Sequence, residues 1–133
     1  ITARIEHLGG THTADSAVLY VPEGRVVFAG DCIYGRRFNG SYGYRMDELT
    51  RMTEQLRSYD ADHYLISHEA PYTREALFSF LDRLIDIGRI VGDESDYAQA
   101  EQEFKARKNR APNEEDTEII RMFTGPNAGP PAP

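Results

Sequence analysis

Four histidines occur in the 133-residue sequence, His7, His12, His63 and His68. His12 lies in Gly10-Thr11-His12-Thr13-Ala14-Asp15-Ser16, just before an apolar run, and His68 follows the run Tyr64-Leu65-Ile66. Between them, Gly30-Asp31 ends another apolar run. Two imidazoles and a carboxylate converging from strand ends form a donor set for a borderline divalent ion such as zinc. Each also has a plainer use: a histidine at a strand end can be a hydrogen-bonded structural residue, and an aspartate after a hairpin can accept backbone N–H bonds. Asp15 and Ser16 either orient the neighbouring imidazole as hydrogen-bond partners or simply start the next strand. Arg36, Arg37, Tyr42 and Tyr44 are candidates to line a substrate mouth and bind an anionic group, against a plainer reading as solvated loop residues. His7 shares the face of Ile1, Ala3 and Ile5, which suggests a core histidine, and His63 opens a strand with no motif around it. Cys32 falls one position past Asp31, where strand alternation turns it to the opposite face.

The elements that position these groups follow from hydrophobic period. Residues 1–8 alternate as a half-buried strand does, and Gly9-Gly10 breaks the pattern. Residues 17–21 and 25–29 are apolar runs joined through Pro22-Glu23-Gly24, which predicts a β-hairpin with Asp31 at its tip. Residues 34–44 hold three glycines and three tyrosines without a sustained period, predicting a long loop. Met46, Leu49, Met52, Leu56 and Tyr59 recur at spacings of three and four, as on an amphipathic helix. A buried strand over 64–66 follows. Thr73 then caps a long helix to about Val91, with Leu77, Leu81, Leu84 and Ile85 inward. A polar helix is expected over 97–108, with Glu101 and Lys105 as an i,i+4 pair. A short helix should run from an Asn113 cap to Phe123, its acidic first turn suiting the positive helix end. Four of seven prolines fall in 124–133, which suggests a disordered tail. The expected domains are thus 1–91, a helical extension over 92–123, and the tail.

Composition excludes several classes. A formal charge of −7 argues against a nucleic-acid surface, and the basic pair Arg36-Arg37 is too small to make one. An apolar share of 40% with 28% charged residues fits one folded domain. The one cysteine suits a reducing, cytoplasmic setting, and no apolar run reaches transmembrane length, so no membrane partner is expected.

The stretch GGTHTADSAVLYVPEGRVVFAGD resembles the third and fourth metal motifs of the metallo-β-lactamase superfamily, and YLISHEAP resembles its last. The resemblance covers roughly residues 1–91, with Glu69 where the family usually has glycine. It implies an α/β fold: half of an αββα sandwich, a mostly antiparallel sheet with helices on one face, plus C-terminal helices. It also implies His12, Asp31 and His68 as metal ligands, with Asp31 bridging two ions. The cofactor would be zinc, two per complete site, with iron or manganese as alternatives. The activity implied is hydrolysis of a small ester, thioester or related substrate by metal-activated water. The family's His-x-His-x-Asp-His signature is absent, so a missing N-terminal half or a second chain is the expected partner, and self-association is expected too. Two other functions stay open: an iron-dependent redox member of the same fold (a sulfur dioxygenase or di-iron module), and a non-catalytic interaction module.

Overall fold

The computed structural model describes residues 1–38, 41–92 and 96–124, with backbone only for 36–38, 41 and 42. The prolines of 125–133 lie outside the described residues. The chain divides into two compact units, one of Ile1–Tyr34 with Asp47–Asp82, the other of Gly35–Met46 with Arg83 onward.

The first unit is an α/β layer. Its sheet contains β1 (Arg4–His7), β2 (Ala17–Val21), β3 (Val26–Gly30), β6 (His63–Ile66) and β7 (Tyr72–Thr73), in that spatial order. Three pairings are antiparallel, and β3 with β6 is parallel. The two runs around Pro22 form the expected hairpin, closed by a single 3-10 turn over Pro22–Gly24. One sheet face carries Val18, Tyr20, Val27, Ala29, Tyr64 and Ile66, all buried. Helix α1 (Met46–Ser58) brings Leu49, Met52 and Leu56 to this core, and α2 (Arg74–Val91) brings Leu77, Phe78 and Leu81. Tyr64 joins strand to both helices: its hydroxyl donates to Leu56 O at 2.8 Å, and its ring meets Phe78 edge-on at 5.5 Å. Thr73 caps α2 by accepting from Ala76 N at 3.2 Å.

The other sheet face differs from the sequence expectation. Ile1 and Ile5 are exposed, Ile5 at 78%, and His7 is exposed with them rather than in the core. The period was right and the polarity of the faces reversed. Cross-strand register places Ile5 beside Leu19, Leu19 beside Phe28, and Phe28 beside Leu65, an apolar row across four strands. Glu6 instead turns toward the helix side and accepts from Tyr59 Oη at 2.6 Å. Burial, with that hydrogen bond, pushes the Tyr59 phenol up to about 12.

In the second unit, the segment expected as a long loop contains a small antiparallel hairpin, β4 (Arg36–Phe38) with β5 (Ser41–Gly43). The side chains of Arg36, Arg37 and Tyr42, the expected substrate contacts, lie outside the described residues. Tyr44 is buried, and its backbone N–H donates to Met122 O at 3.0 Å, so a solvated position is corrected there. Helices α3 (Tyr97–Lys108) and α4 (Glu114–Thr124) complete the unit. Asn113 and Asp116 form a reciprocal capping box: Asp116 N donates to Asn113 Oδ1 at 2.8 Å, and Asn113 N donates to Asp116 Oδ2 at 3.0 Å. Asp116 is 1% exposed and also accepts from Arg83 at 2.8 Å and Arg110 at 2.6 Å. Burial alone would raise its pKa, but these arginine hydrogen bonds hold it at about 2. The Glu101–Lys105 pair forms at 3.4 Å.

Candidate functional site

Strand direction decides what meets at the sheet edge. Because β3 and β6 run parallel with Gly30 beside Ile66, the residues following each emerge at the same edge. Ser67 N donates to Gly30 O at 3.1 Å, which places His68 next to the turn that begins at Asp31. β2 runs antiparallel to β3, so the loop entering Ala17, which carries His12, reaches that edge as well. Gly30 has φ of 55°, a left-handed conformation that side chains disfavour, and it turns the chain out of the strand.

The three sequence candidates converge. His68 Nε2 is 3.1 Å from Asp31 Oδ1, and His12 Nε2 is 4.0 Å from Asp31 Oδ2. One imidazole therefore stands beside each carboxylate oxygen. Oδ1 is buried and accepts no hydrogen bond among the described residues, so the 3.1 Å approach lacks hydrogen-bond alignment. Leaving such an acceptor unsatisfied costs about 1–3 kcal/mol, more for a charge, and is tolerated mainly where something else engages it.

Two imidazole nitrogens and a carboxylate are the right donors for a divalent ion, and neighbouring donors on a tetrahedral ion lie about 3.3 Å apart for bonds of about 2.0 Å. The closer pair matches this spacing and the wider one exceeds it. Among the described residues, however, no group of three or more His, Cys, Asp or Glu side chains is arranged to hold an ion. The donor chemistry fits, but these residues alone do not close a metal site.

The support around Asp31 was not visible in the sequence. Residues 31–34 form a turn, with Cys32 N donating to Ala29 O and Tyr34 N to Asp31 O, both at 3.0 Å. Thr11, 1% exposed, has its hydroxyl 2.9 Å from Cys32 O and 2.8 Å from Tyr34 O. A single hydroxyl hydrogen is shared between those two carbonyls, tying the His12 loop to the Asp31 turn. Cys32 is therefore a turn residue, not a strand residue alternating with Asp31. Its thiol is buried against Ala17 O at 3.4 Å, and burial, together with the nearby Asp31 charge, pushes its pKa up despite hydrogen bonding that lowers it. His7 Nε2 lies 2.7 Å from Ala14 O, so in its Nε2–H tautomer it donates to the loop that holds His12. Ser16 Oγ pairs with Thr13 Oγ1 at 2.8 Å, and Ser16 O accepts from Leu8 N and Gly9 N, closing that loop. Asp15 is exposed. Tyr34 packs its ring 5.9 Å from that of His68, and its hydroxyl is buried. Burial pushes the Tyr34 phenol up, and the Glu69 charge adds to it.

Solved metallo-β-lactamases are what the chain is similar to. A metallo-β-lactamase from Pontibacter korlensis is 23% identical with a TM-score of 0.47, over 60% of this chain and 40% of that one. The DIM-1 metallo-β-lactamase is 23% identical with a TM-score of 0.47, over 63% and 41%. The enzyme from Erythrobacter litoralis is 24% identical with a TM-score of 0.42, over 60% and 38%. The matched region thus spans about two-fifths of the length of those proteins. No protein-family model matches the sequence, and no curated protein matches it. No helix among the described residues is long and apolar enough to cross a membrane.

Proposed function

We propose that the chain is the C-terminal half of a metal-dependent hydrolase of the metallo-β-lactamase fold, acting on a small ester, thioester or related substrate. The observation that carries this is Asp31, whose two oxygens each face one imidazole, as a carboxylate bridging two cations would. His12 would serve one ion and His68 the other, with zinc as the first choice. When bound, such ions supply Lewis acidity and make a water acidic enough to attack at neutral pH. The chain's own contribution is positional. Gly30 aims Asp31, the Thr11 hydroxyl fixes the turn behind it, and His7 fixes the loop bearing His12.

The remaining ligands would come from the missing half or a second chain. The row Ile5, Leu19, Phe28 and Leu65 supports this, because Ile5 and Phe28 are exposed, Phe28 at 41%, and an apolar sheet face of this kind calls for a cover. The same bare face, with an unclosed ligand set, favours the interaction-module reading as the alternative. Iron in a redox protein would use the same donors, so the metal must be measured. The single buried Cys32 suits a cytoplasmic setting.

The test is metal content and turnover across a panel of aryl esters and thioesters, using the whole gene product. Asp31→Ala and His68→Ala should each lower bound metal and cut turnover at least about 100-fold, the scale of losing a metal-held nucleophile. Unchanged metal and turnover would overturn the hydrolase reading. An iron signal with no hydrolysis would move the assignment to the redox class.

A further inference from the structure

The five-stranded sheet ends at β1, and among the described residues no strand pairs with its outer side. Leu8 N donates to Ser16 O at 2.9 Å, in line with the register that sets Glu6 beside Val18 and Arg4 beside Tyr20. Antiparallel ladders alternate, so Glu6 and Arg4 turn their backbone groups to β2, while the N–H and C=O of Ile5 turn away from it. The carbonyl of His7 faces the same way and is engaged by Gln55 Nε2 at 3.0 Å. The free stretch of the edge is therefore centred on Ile5.

Open edges pair with other strands unless proline, a bulge or charge blunts them. β1 has no proline and pairs with β2 without a register shift, but it carries two charges of opposite sign, Arg4 and Glu6. Both lie on the helix side: Arg4 stands 5.8 Å over the Tyr20 ring, and Glu6 accepts from Tyr59 Oη. Ile5 falls between them on the open face, largely exposed. This pattern is complementary to itself. In an antiparallel pair centred on Ile5, Arg4 of each copy stands opposite Glu6 of the other, and the two Ile5 side chains meet. Moving the centre by one residue sets Arg4 against Arg4 or Glu6 against Glu6, so charge selects a single register. The same charges blunt the edge against strands that lack the opposite pattern.

We propose that β1 is the interface of a homodimer, in which a second copy of the chain adds its own β1 across a two-fold axis at Ile5. Ile5 N–H of each copy donates to Ile5 O of the other, and the sheet continues through both. The apolar row Ile5, Leu19, Phe28 and Leu65 then runs on into its counterpart. Tyr59 occupies Glu6 Oε2 at 2.6 Å, which steadies the carboxylate and leaves Oε1 for the incoming guanidinium. The proposal stands apart from the hydrolase reading, since β1 contains none of His12, Asp31 and His68.

Sedimentation of the whole gene product from about 1 µM to 1 mM should show a reversible dimer, the range expected of a small interface. Arg4→Glu places like charges in both cross-strand pairs and should weaken the dimer at least about 10-fold, because the two-fold axis counts each substitution twice. Adding Glu6→Arg to that variant restores opposite charges and should bring the dimer back to within about 3-fold of the wild type. In wild-type hydrogen exchange, the Ile5 amide should slow as concentration rises, while the Glu6 amide stays protected throughout. A monomer at every concentration, a dimer indifferent to Arg4→Glu, or a double variant no tighter than Arg4→Glu would each overturn the proposal. An Ile5 amide that ignores concentration would do so as well, whether or not the variants fold. Any of these results leaves the metal-site reading untouched.

Discussion

Asp31 and Asp116 each bury carboxylate oxygen in a different unit of the chain, and they are treated in opposite ways. Asp116 is almost wholly enclosed, and its oxygens accept from two arginines and a backbone N–H. Asp31 is partly open, faces two imidazoles, and keeps one buried oxygen without a hydrogen bond among the described residues. A saturated carboxylate has nothing left to offer a ligand and serves the fold. An under-satisfied one has been desolvated without being compensated, which evolution tolerates when an outside group completes it.

The largest expected effect lies in the structural member of the pair. Asp116→Ala removes the acceptor that Arg83 and Arg110 share, leaving Arg83 only Glu115 and Arg110 only the Ala111 carbonyl, and should cost about 2–3 kcal/mol in urea unfolding. Asp31→Asn should change stability by less than about 1 kcal/mol, because it removes a charge that was poorly satisfied. Comparable losses for both would break the comparison.

Acid sharpens it further. The folded pKa of Asp116 is about 2, below its ordinary value of 3.8. Its contribution is therefore fully present above pH 4 and lost as pH falls through the folded value. About 2 kcal/mol should disappear between pH 5 and pH 2, measured as the stability difference between wild type and Asp116→Asn. A difference that stays constant with pH would show that the arginines do not hold the carboxylate as described.

Packing in the same unit gives a middle-sized effect. A Cβ at Gly88 would run into Met46 Sδ and come within 2.6 Å of Phe123 Cζ, so Gly88→Ala should lower stability by about 1–3 kcal/mol. The smallest effect belongs to the helix cap. Asn113→Ala removes the acceptor for Asp116 N and should cost about 1 kcal/mol, read from the thermal midpoint. A neutral result would place the cap outside the network that holds Asp116.

Helices were readable from the sequence because their signals are local. The stripe of α2, the Thr73 cap and the Asn113 cap depend only on neighbours three or four residues away. Asp31 at a strand tip was readable for the same reason. What failed needed the tertiary arrangement. The alternation in β1 marks two faces but cannot say which is covered, and Ile5 proved to be on the open one. The β4–β5 hairpin was hidden by its glycines and tyrosines, although the Asn39-Gly40 dipeptide between those strands is itself a hairpin signal. Tyr34 and Thr11 matter through contacts across 20 or more positions, or to His68, which no local pattern reports. Asp116 was placed in a favourable first turn, but its two arginines lie 33 and 6 residues away, beyond any helix-capping rule.

The central claim is that Asp31 and the two imidazoles beside it share bound metal, and histidine NMR tests it most directly. With the whole gene product labelled in the imidazole nitrogens, stepwise zinc addition should shift the ring signals of His12 and His68 together and leave those of His7 and His63 in place. Shifts confined to His7 or His63, or no response at His12 and His68 when zinc is bound, would contradict the account.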